Sequence, residues 1–304
     1  MNIKYGKQIN INELTNKTIS LYLFARNHER RVYTAYERVN NLNKISKAIG
    51  FCYNDSLKKK GKYKESIEYI EISNHQEITN ILDIELSKIE RKSTMLIVDY
   101  SCMTKSWYYT IILYLKKKRL ICENVIVTFI YTPSKYSKPL EPKPNKEIAP
   151  LPGKYIVPTD KPKALIVCLG YEQRKAEGII EHLDPKDYYI LYTKPALDDR
   201  FVSKIEKNNS IILKKSKKVI TFPMDNLLLL ERELTSLYYL LKDEYSIIIA
   251  PLGPKPFTFI SMLMAIRYKD IDIWRVGSGS DINEYRREPL SKDMFIISEV
   301  VFEK

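Results

Sequence analysis

Short apolar runs alternate with amphipathic helical segments along most of the chain, and this alternation limits the possible fold more than any other sequence feature. Runs such as Ile19–Ala25, Val125–Tyr131 and Ala164–Leu169 are apolar and rich in β-branched or aromatic residues, which is typical of buried strands. In Glu77–Ile89 the apolar residues instead recur with the period of a helix. Strands that alternate with helices pair in parallel, because each helix carries the chain back across the sheet. The sequence therefore predicts an α/β fold with mainly parallel sheets.

A proline-rich stretch divides this series in two. Eight of the 15 prolines lie between Pro133 and Pro162. Proline lacks the backbone donor that a central strand or a helix interior needs. We therefore predict a first lobe at residues 1–132, an extended connector at 133–162 and a second lobe at 163–304, each lobe being Rossmann-like.

Composition and the length of the apolar runs narrow the class of protein. Hydrophobic residues make up 44% of the chain, which excludes a disordered polymer. The apolar runs are far shorter than the ~20 residues that cross a bilayer, and Met1–Asn12 lacks the apolar stretch of a signal peptide. The 4 cysteines form no C-x-x-C pair. We expect a cytoplasmic protein with no membrane partner, no metal and no cofactor.

Two kinds of turn recur in the same order in both halves and predict an internal duplication. Alignment of Glu29 with Glu172 also places Arg31 on Arg174, and in both halves a later strand leads through a short turn to a lysine. Unrelated lobes of one fold can share such a rhythm by chance, which is the alternative interpretation. The paired turns are Ala25–Arg31 with Leu169–Arg174, and Asp99–Lys105 with Gly253–Lys255.

These turns carry the candidate ligand-binding residues. A turn that opens a helix presents free N–H groups and the positive end of the helix dipole, which favours phosphate. Arginine suits phosphate because its fork of donors is planar and always charged, and a glycine-containing loop allows close backbone approach. The predicted ligand-binding residues are Arg26, Arg31, Ser101, Thr104, Lys105, Arg174, Gly253, Lys255, Ser278 and Tyr285.

The same residues also have structural interpretations. Ser101 or Thr104 can cap the helix that follows. The helix dipole alone favours Glu29 and Glu172 if they lie in a first helical turn. The turn before Lys255 can be a tight turn stiffened by prolines, and the glycine-containing loop near residue 278 can be a surface loop.

Three carboxylates are candidates for catalysis: Glu29, Asp99 and Glu172. Such a group can act as an acid, a base or a metal ligand, although a carboxylate at a strand end more commonly accepts backbone N–H groups. The first alternative to a binding protein is therefore a hydrolase or nuclease that acts on a nucleotide or a nucleic acid. The second is a nucleic-acid-binding scaffold, because a formal net charge of +13 attracts nucleic acid.

The two lobes with their paired turns resemble the CARF and SAVED group of nucleotide sensors in bacterial antiviral defence. Members of that group are Rossmann-like lobes, paired or fused, that bind cyclic oligonucleotides across a pseudo-twofold cleft. The resemblance implies a nucleotide or cyclic-oligonucleotide ligand in a cleft between the lobes, and a sensor or regulatory subunit in anti-phage defence. Such sensors typically carry a fused effector domain, whereas here two lobes use the whole chain. The resemblance therefore implies a separate effector protein as partner, or a lobe that is itself catalytic.

Overall fold

Two sheets organise the computed structural model, which describes residues 1–53, 65–89, 93–118, 123–138, 140–141, 143–154, 158–172, 174–277 and 286–304. The chain is mixed α/β and most strand pairs are parallel. It forms two compact units, of which the first contains Met1–Lys135 and Tyr285–Lys304 and the second contains Tyr136–Glu284. None of the helices in these ranges combines the length and apolarity that a bilayer crossing requires.

The first unit is built on a seven-stranded sheet. Its strands are β1 (Asn2–Ile9), β3 (Leu21–Arg26), β5 (Ala48–Cys52), β6 (Glu68–Glu71), β7 (Ser93–Asp99), β8 (Asn124–Tyr131) and, from the end of the chain, β15 (Ile296–Glu303). The order is β1-β15-β8-β7-β3-β5-β6. The strands from β8 to β6 run parallel to one another, β15 is antiparallel to β8, and β1 is antiparallel to β15. Short strands β2 (Thr18–Ile19) and β4 (Lys44–Ile45) pair separately. The helices are α1 (Thr34–Leu42), α2 (His75–Ser87) and α3 (Lys105–Lys117), with a 3-10 turn at Ile11–Leu14.

The second unit is built on a six-stranded sheet. Its strands are β9 (Glu147–Pro150), β10 (Lys163–Cys168), β11 (Asp187–Thr193), β12 (Lys218–Phe222), β13 (Ser246–Pro251) and β14 (Ile271–Gly277). The order is β12-β11-β10-β13-β14-β9, and only β9 is antiparallel to its neighbour. The helices are α4 (Lys175–Leu183), α5 (Asp199–Asn208), α6 (Ser210–Lys215), α7 (Leu227–Leu241) and α8 (Lys255–Arg267).

The parallel strands follow the same order in both units. Counted along the chain, the order is third, second, first, fourth, fifth: β6-β5-β3-β7-β8 in the first unit and β12-β11-β10-β13-β14 in the second. The direction of winding reverses between the first and fourth strands, so the switch points lie between β3 and β7 and between β10 and β13. In open α/β sheets the crevice outside the carboxyl ends of the strands at a switch point is where ligands bind.

The central strands are apolar because both of their faces are covered. All residues of Leu21–Ala25 and of Ala164–Cys168 are buried, which accounts for the continuous apolar runs in the sequence. Helices α3 and α8, which follow the fourth strand of each unit, also bury residues on nearly every side.

The structure differs from the boundaries that the prolines predicted. Within residues 133–162, Glu147–Pro150 forms the edge strand β9 and Leu151 is buried, so this stretch is part of the second unit as well as a link. An edge strand tolerates proline because one side of its backbone makes no ladder bonds. The last strand, β15, was assigned to the lobe at 163–304, but it pairs with β8 and β1 in the first unit.

Candidate ligand-binding site

Most of the predicted residues lie at the switch point of their own sheet. In the first unit Arg26 ends β3, and the turn after β7 leads into α3. In the second unit one turn joins β10 to α4, and another joins β13 to α8. The residues placed at these four positions are Arg26, Glu29, Arg31, Asp99, Ser101, Thr104 and Lys105 in the first unit, and Glu172, Arg174, Gly253 and Lys255 in the second.

Arg31 is buried, which corrects the prediction that it supplies charge to a ligand. Its side chain is 0% exposed. Nε donates to Glu29 Oε2 at 2.6 Å, and the two terminal nitrogens donate to the carbonyls of Thr132 at 2.5 Å and Ser101 at 3.0 Å. The guanidinium therefore holds together the chain segments that follow β3, β7 and β8.

The turn after β7 also satisfies its own polar groups. Asp99 is 2% exposed and accepts a hydrogen bond from the Ser101 backbone N–H at 2.9 Å. The Ser101 hydroxyl accepts from the backbone N–H of Thr132 at 2.8 Å. The Tyr22 hydroxyl lies 3.5 Å from Asp99, and burial together with this carboxylate raises the pKa of Tyr22, so its hydroxyl stays a donor. The Asp99 contact agrees with its structural interpretation as a strand-end carboxylate that accepts a backbone N–H, whereas the hydrogen bond between Ser101 and Thr132 is not the helix cap that was the structural interpretation of Ser101.

Thr104, Lys105 and Arg26 lie nearer the surface. Thr104 precedes α3, but its hydroxyl contacts the Ser106 hydroxyl at 3.2 Å and does not cap the helix. Lys105 is the first residue of α3 and is half-buried. Arg26 is hydrogen-bonded to the Tyr33 hydroxyl. Glu29 lies before α1 and not in its first turn, because that helix begins at Thr34.

In the second unit the turns after β10 and β13 lie backbone against backbone. A Cβ atom on Gly170 would lie 2.6 Å from the Leu252 carbonyl oxygen, and one on Gly253 would lie 2.7 Å from the Leu169 carbonyl oxygen. Only residues without a side chain allow this approach. Gly253 was predicted as a site residue, whereas Gly170 was not, although its place after the first strand was a usable signal.

Arg174 has an exposed side chain on a left-handed backbone. Its φ is 68°, a conformation that is uncommon outside glycine and typical of constrained positions. Its carbonyl accepts from Gly178 N at 3.1 Å and from Asn145 Nδ2 at 3.4 Å. Glu172 pairs with Lys175 in the same turn. The alignment of Arg31 with Arg174 therefore joins two residues in different surroundings.

The start of α8 combines a cation with the positive end of the helix dipole. Lys255 is the first residue of this helix and is half-buried. The preceding Pro254 has an extended backbone, and its side chain offers no capping oxygen. The first N–H groups of such a helix attract anions, and the lysine adds a full charge.

An aromatic group lies beside the turn that follows β10, and we define it as Tyr136, Tyr171 and Phe201. Ring centroids are 5.0 Å apart for Tyr136 and Phe201, 5.3 Å for Tyr171 and Phe201, and 6.5 Å for Tyr136 and Tyr171. The Arg200 guanidinium lies 4.9 Å from the Tyr136 ring centroid. All three rings are half-buried. No local sequence signal indicates this group, because its members are distant along the chain.

The remaining predictions concern Ser278 and Tyr285, a metal ion, the cysteines and a cleft between the lobes. Ser278 and Tyr285 lie outside the described residues. In the part of the chain that the structure describes, no three His, Cys, Asp or Glu side chains are grouped to hold a metal ion. The side chains of Cys52, Cys102 and Cys168 are buried. A cleft shared by the two lobes concerns the relative placement of the units and stays a prediction.

Fold and turns together define an α/β protein with two mainly parallel sheets whose parallel strands share one order, and each sheet has charged or glycine-containing turns at its switch point. Comparison with known proteins adds no narrower class, since no family model and no curated protein matches the sequence.

Proposed function

We propose that this protein binds a nucleotide through phosphate recognition at a sheet switch point, and that it acts as a sensor or regulatory subunit. One observation carries the proposal. The four paired turns that the sequence predicts to bind an anion follow the first or the fourth parallel strand of their sheet, whereas the glycine-containing loop near residue 278 comes after the fifth. The first and fourth strands flank the position at which open α/β sheets bind ligands.

The second unit supplies the groups that phosphate recognition needs. Gly170 and Gly253 keep side chains away from the backbone of both turns. Lys255 and Arg174 add positive charge at the starts of α8 and α4. Charge-assisted hydrogen bonds to phosphate oxygens are about twice as strong as neutral ones, so a few such contacts support micromolar or tighter binding.

The aromatic group supports a nucleotide over a simple phosphate. Its rings begin at Tyr171, directly after Gly170, so an aromatic surface lies beside the proposed phosphate position. Stacking of a base on an aromatic side chain contributes about 1–3 kcal/mol. A ligand with both a phosphate and a base uses both surfaces.

The common strand order supports an internal duplication of one lobe. A duplicated Rossmann-like sensor agrees with the resemblance to the CARF and SAVED group, and the proposal includes a cyclic oligonucleotide as ligand, a separate effector protein and a role in anti-phage defence. No contact of Glu29, Asp99 or Glu172 described above favours the hydrolase alternative, since each pairs with a neighbouring group of its own turn.

A thermal-shift screen tests the proposal, with AMP, ATP, cyclic di-AMP and a cyclic tetra-adenylate as probes. Ligand at about 100 times its dissociation constant stabilises the native state by about 2.7 kcal/mol, which gives a measurable shift. We expect Lys255→Ala to weaken binding of the active probe at least about tenfold. Lys269→Ala is the matched control, because Lys269 is exposed and comes just before β14. It therefore lies at the amino ends of the strands, away from the switch point at their carboxyl ends.

Two results would contradict the proposal. The first is no shift with any probe at concentrations well above micromolar. The second is equal binding by the Lys255 and Lys269 variants. Conversion of a probe to product would instead favour the hydrolase alternative.

A further inference from the structure

The first unit fills its own switch point with a buried charge pair. Arg31 is completely buried, and the Glu29 carboxylate that it binds is 10% exposed. The same guanidinium donates to the Ser101 carbonyl after β7 and to the Thr132 carbonyl after β8. It therefore joins the segments that follow β3, β7 and β8, and two of these strands, β3 and β7, flank the switch point at which the fold offers a ligand position.

Among the described residues, the corresponding turns of the second unit lack this arrangement. Arg174 is exposed on a left-handed backbone, and Glu172 pairs with Lys175 beside it. The alignment of the two halves also sets Asn27 on Gly170 and Met103 on Gly253. The two glycines of the second unit thus correspond to positions with side chains in the first.

Those side chains help to close the turns of the first unit. Asn27 Oδ1 accepts from the backbone N–H of Glu29 at 2.9 Å, and Asn27 Nδ2 lies 3.3 Å from Glu29 Oε1. Met103 is 1% exposed. The Glu29 carboxylate is therefore held in place from its own turn as well as by Arg31.

We infer that Glu29 is an internal anion that occupies, in the first unit, the position that the phosphate of the proposed ligand takes in the second. A buried guanidinium requires a negative partner, and Glu29 provides it permanently. Of the two switch points in the part of the chain that the structure describes, the one in the second unit is then the one open to a mononucleotide. The phosphate position in the second unit rests on the proposed function, whereas the role of Glu29 as the internal anion of Arg31 does not.

Chemical rescue tests the part that concerns the first unit. Glu29→Ala removes the carboxylate and leaves room for a small anion near the surface, so the melting temperature should fall by roughly 10 °C. Sodium formate should restore much of this loss in the variant and have little effect on the wild type, with sodium chloride at equal ionic strength as the salt control.

Three variants make the rescue specific. Glu29→Gln keeps the volume without the charge, so formate should not rescue it. Glu288→Ala removes the carboxylate that pairs with the more exposed Arg30, and formate should again have no effect. The double variant Glu29→Ala with Arg31→Met lacks the buried cation and should lose the response. Equal formate responses in Glu29→Ala and any of these controls would overturn the inference.

Stoichiometry with the wild type provides a second readout that does not depend on a variant folding. Calorimetric titration with AMP or ATP should give one site per chain, and two sites per chain would overturn the inference. If none of the four thermal-shift probes binds but formate rescues Glu29→Ala, the proposed function fails while the internal anion stands. If nucleotide binds at one site and formate does not rescue a folded Glu29→Ala, the internal anion fails while the proposed function stands.

Discussion

Replacing the two switch-point glycines of the second unit with alanine tests whether backbone contact between its turns is required. A Cβ on Gly170 would lie 2.6 Å from the Leu252 oxygen, whereas ordinary contact begins at 3.4 Å, so the turns would have to separate by about 0.8 Å. At Gly253 the added atom would lie 2.7 Å from the Leu169 oxygen and 2.5 Å from Cys168 Sγ. In both cases at least one obstacle is backbone, which cannot move aside by changing rotamer.

The expected cost follows from the crowding. Inserting a methyl group into well-packed surroundings costs about 1–3 kcal/mol, and we expect Gly170→Ala and Gly253→Ala each to cost about 2 kcal/mol in free energy of unfolding. The double variant should cost less than the sum, because the separation that relieves one clash also relieves the other. A coupling of at least about 0.5 kcal/mol is expected for sites that share a contact.

Urea denaturation followed by tryptophan fluorescence measures these quantities. The chain has 2 tryptophans, Trp107 in the first unit and Trp274 in the second. In a Trp107→Phe background the signal reports on the second unit alone. Gly6→Ala is the control and is read from Trp107 in a Trp274→Phe background, because Gly6 lies in the first unit. Its added atom would meet its nearest neighbours at 3.8 Å.

The reasoning is refuted if either switch-point variant unfolds within about 0.5 kcal/mol of the parent. Strict additivity in the double variant would show that the two turns do not share the strain. A cost for Gly6→Ala equal to that of the other two would mean that any added methyl group destabilises this chain.

Three further predictions follow from contacts elsewhere. Arg31→Met should lower the free energy of unfolding by about 3–5 kcal/mol, read from Trp107 fluorescence in urea, because it leaves the Glu29 carboxylate without its cation. Asn145→Ala should cost about 1 kcal/mol in the same assay read from Trp274, since it removes a hydrogen bond to the Arg174 carbonyl. Burial outweighs nearby carboxylates and lowers the pKa of Lys154 to about 8 from 10.5. Between these pH values the unfolded chain binds more protons, so the stability of the wild type relative to Lys154→Met should rise with pH.

Each of these has a contrary outcome. An Arg31→Met protein as stable as the wild type would show that Glu29 needs no cation. Asn145→Ala is contradicted by an unchanged urea midpoint. The Lys154 prediction is contradicted if the stability of the wild type relative to Lys154→Met falls as pH rises above 8. The carbonyls of Ala265, Tyr268 and Ile271, which accept hydrogen bonds from Nζ, would then stabilise the charged amine more than burial destabilises it.

The regular elements were largely predictable because their signals are local. The apolar run Val125–Tyr131 predicts a buried strand and lies within β8. The helical period in Glu77–Ile89 predicts a helix, and α2 covers His75–Ser87. Strand β1 was missed, because its residues are mostly exposed and its place is fixed by pairing with β15 at the far end of the chain. Long-range pairing leaves no periodic trace in the sequence of either strand.

The candidate site was predictable in position but not in the state of its side chains. A basic residue in a turn after a strand looks the same in the sequence whether it faces solvent or the interior. Arg31 is buried because two carbonyls and a carboxylate from three segments converge on it, while Arg174 has no such set of partners among its described contacts. The aromatic group was invisible for a related reason, since Tyr136 meets Phe201 only when the chain folds.

The sequence by itself determined the α/β class, the alternation of strands and helices, and the turns that carry charge and glycine, because each depends on residues close together along the chain. Tertiary structure alone decided the strand order, the return of β15 to the first unit and the burial of Arg31 against Glu29. These features depend on which distant segments come into contact. The free energy of such contacts depends on pairs of residues far apart along the chain, and no local sequence pattern indicates which residues will pair.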